Sequence, residues 1–170
     1  NTGIYKPLKV EHTVSPSMDI QFASNFERLV FDACSCNSNK TLKLMNDLNE
    51  RGEFKLKKDE LKKIKESFCS ESLSEEETKS IINKAYKNQG MLIDPHTAVA
   101  VGAANKISLK GNIVILATAH PAKFYEVVMK ETNIKPELPE NLKKILDEKE
   151  KYEKFPKDLK KIKNYILERI

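Results

Sequence analysis

The chain has 170 residues, of which 39% are hydrophobic and 32% are charged. This length allows one globular core with a helical appendage, and it excludes a complete two-domain enzyme. No apolar run approaches the roughly 18–20 residues of a membrane-spanning helix, which argues against a membrane role. The formal net charge of +5 leaves an anionic partner open.

The first 17 residues predict a loop with a short extended piece, since they contain Pro7 and Pro16, several β-branched residues and no helical period. They resemble neither a signal peptide nor a transit peptide, because they lack an apolar core and an Arg- and Ser-rich amphipathic pattern. We therefore expect the chain to be a segment of a longer polypeptide, entered partway through.

A helix is predicted next, because apolar residues recur at helical spacing at Phe26, Leu29, Val30 and Ala33. Ser24 or Asn25 is expected to cap its first turn. The polar run at residues 37–39 is expected to end it.

Residues 40–90 predict three charged helices, over residues 41–50, 58–68 and 74–88. Gly52 and Gly90 follow the first and the third, where glycine commonly ends a helix. Ser74 and Glu77 have the spacing of a capping box. Because this block is charged and locally self-contained, we interpret it as a helical insertion.

The composition changes after residue 90. Asp94 and Pro95 predict a helix start, and the small apolar residues that follow allow a helix to pack closely on a sheet. The run from Ile113 to Ala117 is the only strongly strand-like segment, and its unbroken apolar character is typical of a buried parallel strand. One strand cannot form a sheet, so its partner strands are expected elsewhere in the parent chain.

A turn at residues 118–124 leads into a helix that is predicted to reach about Lys130. Two further helices are predicted in the tail, the first introduced by Pro136 and Pro139 and the second by Pro156. Their apolar positions are Leu142, Ile145 and Leu146, and then Leu159, Ile162, Ile166 and Leu167.

The carboxyl end of the apolar strand is the most informative place for function, because open α/β sheets bind ligands at this end of their strands. Thr118 offers a hydroxyl there that can donate to or accept from a ring nitrogen, and the following helix directs backbone N–H groups toward any anion. From the residues alone, Thr118 suits a ligand contact and a helix cap equally well. His120 suits capping or orienting as well as catalysis.

Three separate stretches carry a family resemblance: residues 15–29 (SPSMDIQFASNFERL), 92–99 (LIDPHTAV) and 116–124 (LATAHPAKF). Together with a weaker match at residues 136–139 (PELP), they resemble the signature of the threonine synthases of bacteria and fungi, in the same order and spacing. The resemblance covers essentially the whole chain. It identifies the chain as similar to the carboxy-terminal segment of that family.

The resemblance implies the α/β fold shared with the tryptophan synthase β subunit (fold type II), in which pyridoxal 5′-phosphate (PLP) lies between two domains. This chain would be a mostly helical part of it. Residues 1–39 and 91–132 would belong to the PLP domain, residues 40–90 would be inserted in it, and residues 133–170 would form carboxy-terminal helices. The implied enzyme is a cytoplasmic PLP-dependent lyase of threonine biosynthesis, which eliminates phosphate from O-phospho-L-homoserine and adds water to give L-threonine.

The resemblance also implies cofactor contacts. In that fold a Ser or Thr at the end of a late strand hydrogen-bonds the pyridine nitrogen, and Thr118 is the matching position. A hydroxyl, unlike a carboxylate, need not keep that nitrogen protonated, so the reaction depends more on the lysine and the substrate phosphate. Asp94 and His96 match the helix start that lines the cofactor pocket, and with His120 they complete the candidates for cofactor binding.

Candidates for binding the anionic substrate are Ser17, Asn25, Arg28 and Lys123. The alternative for the first three is structural, with a turn and a capped helix in which Asp19 and Arg28 tie the loop to the fold. Lys123 is not assigned as the Schiff-base lysine, because the family places that lysine earlier in the chain.

Two elements that the family requires are absent from this sequence. One is the PLP-binding lysine in a Phe-Lys-Asp setting, and the other is a Gly-rich phosphate loop, since the 5 glycines do not cluster. We therefore expect no catalytic residue in this fragment, no activity from it alone, and the amino-terminal part of the same enzyme as its partner. No metal is expected, because the three cysteines lack zinc-site spacing.

The competing interpretation is an autonomous basic helical module that binds an anionic partner. Against it, lysines alternate with acids, as in residues 57–63 and 147–151, so each helix face carries both signs. Arginine occurs only at Arg28, Arg51 and Arg169, which argues against nucleic-acid binding.

Overall fold

The computed structural model describes residues 2–107, 110–146 and 148–170, and the chain divides into two compact units, Asn1–Pro136 and Glu137–Ile170. The first unit contains, in chain order, β1 (Ile4–Tyr5), α1 (Ser24–Ala33), α2 (Ser38–Arg51), β2 (Phe54–Lys55), α3 (Lys58–Ser67), α4 (Glu75–Gln89), α5 (Pro95–Lys106) and α6 (Tyr125–Thr132). The second contains α7 (Glu140–Lys143) and α8 (Leu159–Leu167). This mostly helical architecture agrees with the prediction.

A first hydrophobic cluster lies among α1, α2, β2 and α3, and its buried members are Val30, Cys34, Leu48, Phe54 and Leu56. β1 pairs with β2 in antiparallel fashion, which places Tyr5 opposite Phe54. The Tyr5 ring stacks on Phe26 and Phe54, with ring centroids 4.9 Å and 5.2 Å apart. The amino-terminal residues are therefore held against these helices by aromatic packing.

A second cluster lies among α4, α5 and α6 and is built on Ile82, Ile93 and Ala98. Gly102 lets α5 approach its neighbours closely, because a Cβ atom there would lie 2.1 Å from Leu73 Cδ2 and 2.5 Å from Ile81 Cδ1. The small residues of α5 were predicted to permit packing on a sheet. In the described residues, α5 packs closely on α4.

The helices of residues 40–90 begin and end largely as predicted. Ser74 N–H donates to Glu77 Oε2 at 2.7 Å, and Glu77 N–H donates to Ser74 Oγ at 3.2 Å, which completes the capping box of α4. Gly52 and Gly90 end α2 and α4 in the left-handed conformation, with φ values of 76° and 67°.

The start of α1 differs from the prediction. The helix begins at Ser24, its cap residue is Ala23, and no side chain caps it, so neither Ser24 nor Asn25 has the predicted role. The Phe26 N–H donates to the Ala23 carbonyl at 3.0 Å, which satisfies one exposed donor of the first turn without a side chain.

The end of α1 also differs from the prediction. The chain turns at Ser35 and Cys36, whose φ values are 58° and 55°, before the polar run at residues 37–39. Asn37 instead caps α2, because its side chain accepts a hydrogen bond from the Lys40 N–H at 3.0 Å. The polar run therefore starts a helix instead of ending one.

The apolar run at residues 113–117 pairs with no described strand. Val114 and Leu116 are 82% and 73% exposed. The expectation of a buried parallel strand is therefore not met within the described residues. Burying this run requires partner strands that the described residues do not supply.

The interpretation of residues 40–90 as an inserted helical block stays a prediction. The helices of that block divide between the two clusters, since α2 and α3 pack against α1, whereas α4 packs against α5 and α6.

The unit Glu137–Ile170 contains both predicted tail helices. Asp158 Oδ1 caps α8 by accepting hydrogen bonds from the N–H groups of Lys160 and Lys161, at 2.9 Å and 3.3 Å. Tyr165 on α8 meets the edge of Phe155, with ring centroids 4.5 Å apart. In the described part of the chain, no helix is both long enough and apolar enough to cross a membrane.

Candidate functional site

A cavity of about 1030 Å³ lies between the α4–α5 pair and the segment of residues 115–121. Much of its wall is apolar, including Ile81, Ala85, Ile93, Val101, Ile115 and Ala117. Three of the predicted cofactor-binding residues, Asp94, Thr118 and His120, line it as well. Ligand sites typically combine such an apolar wall with a few polar groups, in cavities of roughly 300–1,000 Å³.

Thr118 follows the apolar run directly and is exposed on the cavity wall. Among the described residues, no protein group hydrogen-bonds to its hydroxyl, and no helix cap uses it. The Thr118 hydroxyl is therefore free to donate to or accept from a ligand atom.

His120 caps the short 3-10 helix Pro121–Phe124, because its Nδ1 accepts a hydrogen bond from the Ala122 N–H at 3.2 Å. An Nδ1 atom that accepts leaves the proton of the neutral ring on Nε2. Of the roles that the sequence left open for His120, the structure shows capping. A cofactor contact through the Nε2–H group stays a prediction.

Asp94 caps α5 from a buried position, with 1% of its surface exposed. Its Oδ1 atom accepts hydrogen bonds from the backbone N–H of His96 at 2.9 Å and from the His96 ring Nδ1 at 3.0 Å. Its Oδ2 atom accepts from the N–H of Thr97 at 3.4 Å and from the Thr97 hydroxyl. Both oxygens are thus occupied by protein donors, and Asp94 contributes to the cavity wall by fixing the start of α5.

His96 lies next to this cap and is only 5% exposed. Its Nε2 atom accepts a hydrogen bond from the backbone N–H of Ser17 at 3.2 Å, which requires the ring proton on Nδ1, facing Asp94. The ring also contacts Phe124, with centroids 4.8 Å apart. Both ring nitrogens are thus engaged by protein groups, Nε2 by Ser17 and Nδ1 by Asp94. Cofactor binding by His96 stays a prediction.

Ser17 is therefore brought to the start of α5 through its backbone, and it is an exposed residue. The loop that carries it has internal hydrogen bonds, since Asp19 accepts from the N–H and the hydroxyl of Thr13, each at 2.7 Å. These bonds, the hydroxyl one foremost, hold the pKa of the Asp19 carboxyl below its usual value.

The same loop is fastened to α4 by Glu75. The Val14 N–H donates to Glu75 Oε1 at 2.7 Å, and this bond is the main reason why the pKa of Glu75 lies below its usual value. An ion pair with Lys79 at 2.9 Å acts in the same direction. Sequence reasoning missed this contact, because it joins residues 61 positions apart.

Lys123 is exposed and lies near the same region, with its Nζ atom 5.5 Å from the centroid of the Phe124 ring. Asn25 and Arg28 are exposed on α1, and Arg28 lines a different cavity of about 500 Å³. Of the two residues in the structural alternative, Asp19 bonds to Thr13 within the loop, and whether Arg28 ties the loop to the fold stays a prediction. The structure therefore separates Arg28 from the cavity that Thr118 lines.

Comparison with known proteins shows which family this chain is similar to. Residues 97–166 match the family model described as "Threonine synthase, C-terminal". The chain is 35% identical over 157 residues to the threonine synthase of Pseudomonas aeruginosa, an alignment that covers 91% of this chain and 34% of that protein. This chain matches the carboxy-terminal part of threonine synthases. The resemblance seen in the three sequence motifs is thereby confirmed.

Two solved structures extend the match to the fold. A PLP-bound threonine synthase from Brucella melitensis superposes with a TM-score of 0.83 at 35% identity, over 97% of this chain and 36% of that chain. Yeast threonine synthase gives a TM-score of 0.77 at 33% identity, over 98% and 38%. The predicted fold class is therefore confirmed. The chain spans about a third of the length of the threonine synthases that it matches.

Proposed function

We propose that this chain forms the carboxy-terminal part of a threonine synthase, a PLP-dependent lyase that converts O-phospho-L-homoserine and water to L-threonine and phosphate. The observation that carries the proposal is the likeness of 97% of the chain, at a TM-score of 0.83, to a PLP-bound threonine synthase. In the net reaction the C–O bond from Cγ to the phosphate group breaks and phosphate leaves, the hydroxyl group of water bonds to Cβ in place of a hydrogen, and Cγ gains a hydrogen.

The residues around the main cavity fit the ring of PLP. The apolar wall suits the faces of a planar ring. The Thr118 hydroxyl is exposed, is bonded to no described residue, and can therefore pair with the ring nitrogen. When bound, PLP supplies an electron sink for carbanions formed next to the substrate nitrogen. Thr118 would orient the ring, and as a neutral group it would not require a protonated ring nitrogen.

Other residues of this chain would support the site indirectly. Asp94 fixes the start of α5 and so shapes one side of the cavity. Ser17 and Lys123 both lie next to the His96–Phe124 pair, and we propose that their polar side chains face the anionic substrate. Asn25 and Arg28 stay candidates, from a separate surface of the first unit.

The covalent chemistry requires residues from outside this chain. The sequence contains no lysine in a Phe-Lys-Asp setting and no glycine cluster for the cofactor phosphate. We propose that the amino-terminal part of the same enzyme supplies both, that the chain alone is inactive, and that the enzyme is cytoplasmic.

Substitution of Thr118 tests the proposed cofactor contact. In an assembled enzyme, this chain would replace the matching part of the Pseudomonas aeruginosa threonine synthase. There, Thr118→Ala should lower PLP occupancy or turnover by roughly tenfold or more, which corresponds to about 1.4 kcal/mol. Thr118→Ser is the matched control, because it keeps the hydroxyl, and it should retain most of the activity. Normal kinetics and unshifted cofactor absorbance in Thr118→Ala would contradict the contact.

A further inference from the structure

The loop of residues 13–19 is attached to the helices of the first unit by two hydrogen bonds that cross the fold. One joins the Val14 N–H to Glu75 on α4, and the other joins the Ser17 N–H to His96 Nε2 on α5. The bonds between Thr13 and Asp19 lie within the loop, so they set its shape and not its place. The position of residue 17 therefore depends chiefly on His96.

The His96 ring is held in the one form that can make this contact. Asp94 Oδ1 lies 3.0 Å from Nδ1 and places the ring proton there, which leaves a lone pair on Nε2 for the Ser17 N–H. The ring is 5% exposed, so water cannot readily replace a lost bond. Contact with Phe124 further restricts the ring, since the two centroids are 4.8 Å apart.

We propose that His96 is a positioning residue, which docks the loop of residues 13–19 on α5 and so fixes Ser17 beside the substrate. The role of Ser17 in this proposal rests on the proposed function. Phe124 connects the same ring to Lys123, whose Nζ atom lies over the Phe124 ring at 5.5 Å. His96 thus links the two proposed substrate contacts, Ser17 and Lys123, without touching the substrate itself.

Two substitutions separate the docking contact from the bulk of the ring. His96→Gln places an amide oxygen near the former Nε2 position and can still accept from the Ser17 N–H. His96→Asn places its amide near the former Nδ1 position, where it can meet Asp94 but cannot reach Ser17. In the assembled enzyme, His96→Asn should raise KM for the phosphorylated substrate about tenfold, with cofactor absorbance unchanged. The KM of His96→Gln should lie much closer to that of the unaltered enzyme. Equal kinetics for both variants and the unaltered enzyme would overturn the proposal.

A measurement without substitution or activity keeps this proposal separate from the proposed function. The chain has only 3 histidines, so 15N-histidine labelling gives a simple spectrum. His96 should show a protonated Nδ1 and an unprotonated Nε2, and the Ser17 amide should exchange with solvent at least about tenfold more slowly than an exposed amide. A proton on Nε2, or a freely exchanging Ser17 amide, would overturn the proposal even if the enzyme is active.

Ser17→Ala is the matched control for the loop. It removes the hydroxyl but keeps the backbone N–H that donates to His96. The Ser17→Ala loop should therefore keep its slow amide exchange at residue 17, whereas the loop in His96→Asn should lose it. Fast exchange in Ser17→Ala would contradict docking through the backbone.

Discussion

Asp94 illustrates how one side chain can organise a site without facing a ligand. Its two oxygens accept bonds from the backbone and side chains of both His96 and Thr97. A buried carboxylate with this many partners is costly to remove, since each donor left without an acceptor costs roughly 1–3 kcal/mol. Its position at the start of α5 makes the cavity wall and the His96 ring depend on the same residue.

Two carboxylates predict an acid limit for the order of the loop of residues 13–19: Glu75 ties the loop to α4, and Asp19 sets its internal shape. The pKa values of Glu75 and Asp19 are lower in the folded chain than their ordinary values of 4.5 and 3.8. Each group therefore contributes its full stabilisation above its ordinary pKa, and this contribution is lost as the pH falls through the lower folded value. In that acid range we expect the loop to lose its tie to α4 as Glu75 is protonated, and its internal hydrogen bonds as Asp19 is protonated.

An NMR titration of the Val14 and Thr13 amide signals tests this prediction directly. Both should shift with midpoints below 4.5 and 3.8 respectively, because these amides donate to Glu75 and Asp19. Thr13→Val removes the hydroxyl donor and should move the Asp19 midpoint upward while Val14 changes little. Midpoints at or above the ordinary values would refute the proposed anchoring.

At this scale, the sequence indicated contacts that are local in the chain. The helix start at Asp94 follows from a short motif, and its cap joins residues two and three positions apart. The bond between Ser17 and His96 spans 79 positions, and no local rule predicts it. His96 was accordingly predicted as a pocket residue, whereas its observed contacts are with Asp94, Ser17 and Phe124.

At the scale of elements, helices were predictable wherever periodicity and end signals agreed. α4 has a capping box at one end and a left-handed glycine at the other, so its observed bounds lie within one residue of the prediction. α1 lacks a side-chain cap, so a rule based on Ser or Asn failed there. The run at residues 113–117 pairs with no strand in the part of the chain that the structure describes, because a strand is completed by its neighbours, which local sequence cannot supply.

Gly102 gives a test of the packing between α4 and α5. Gly102→Ala gains about 1 kcal/mol of helix propensity, but the new Cβ would lie far inside the normal contact distance of Leu73 and Ile81. Overpacking typically costs about 1–3 kcal/mol, so we expect a net loss of about 1 kcal/mol in the free energy of unfolding, measured with urea.

The Leu73→Ala background provides the control for this prediction. It removes the Leu73 Cδ2 atom that would lie 2.1 Å from the new Cβ, so Gly102→Ala should cost less there. A stabilising effect of Gly102→Ala in the original background would show that α5 is not packed as closely as described.

At the scale of the whole molecule, the described residues form two hydrophobic clusters, a cavity wall and the two-stranded antiparallel pair of β1 and β2. The exposed run at residues 113–117 is consistent with a chain that matches only about a third of the length of the threonine synthases it resembles. Composition alone did not indicate that the match is partial, since 39% hydrophobic residues suffice for an ordinary core. The three family motifs indicated a partial match, because they resemble the carboxy-terminal part of threonine synthases.

Reconstitution tests the central claim most directly. This chain is combined with the amino-terminal part of a threonine synthase that carries the PLP lysine, and PLP absorbance, threonine and phosphate are measured. The same amino-terminal part with its own carboxy-terminal part, supplied separately, serves as the control. We predict bound-PLP absorbance and equal amounts of threonine and phosphate only when both parts are present. If the control is active but this chain restores neither signal, and instead binds polyanions with a steep salt dependence, the account is contradicted.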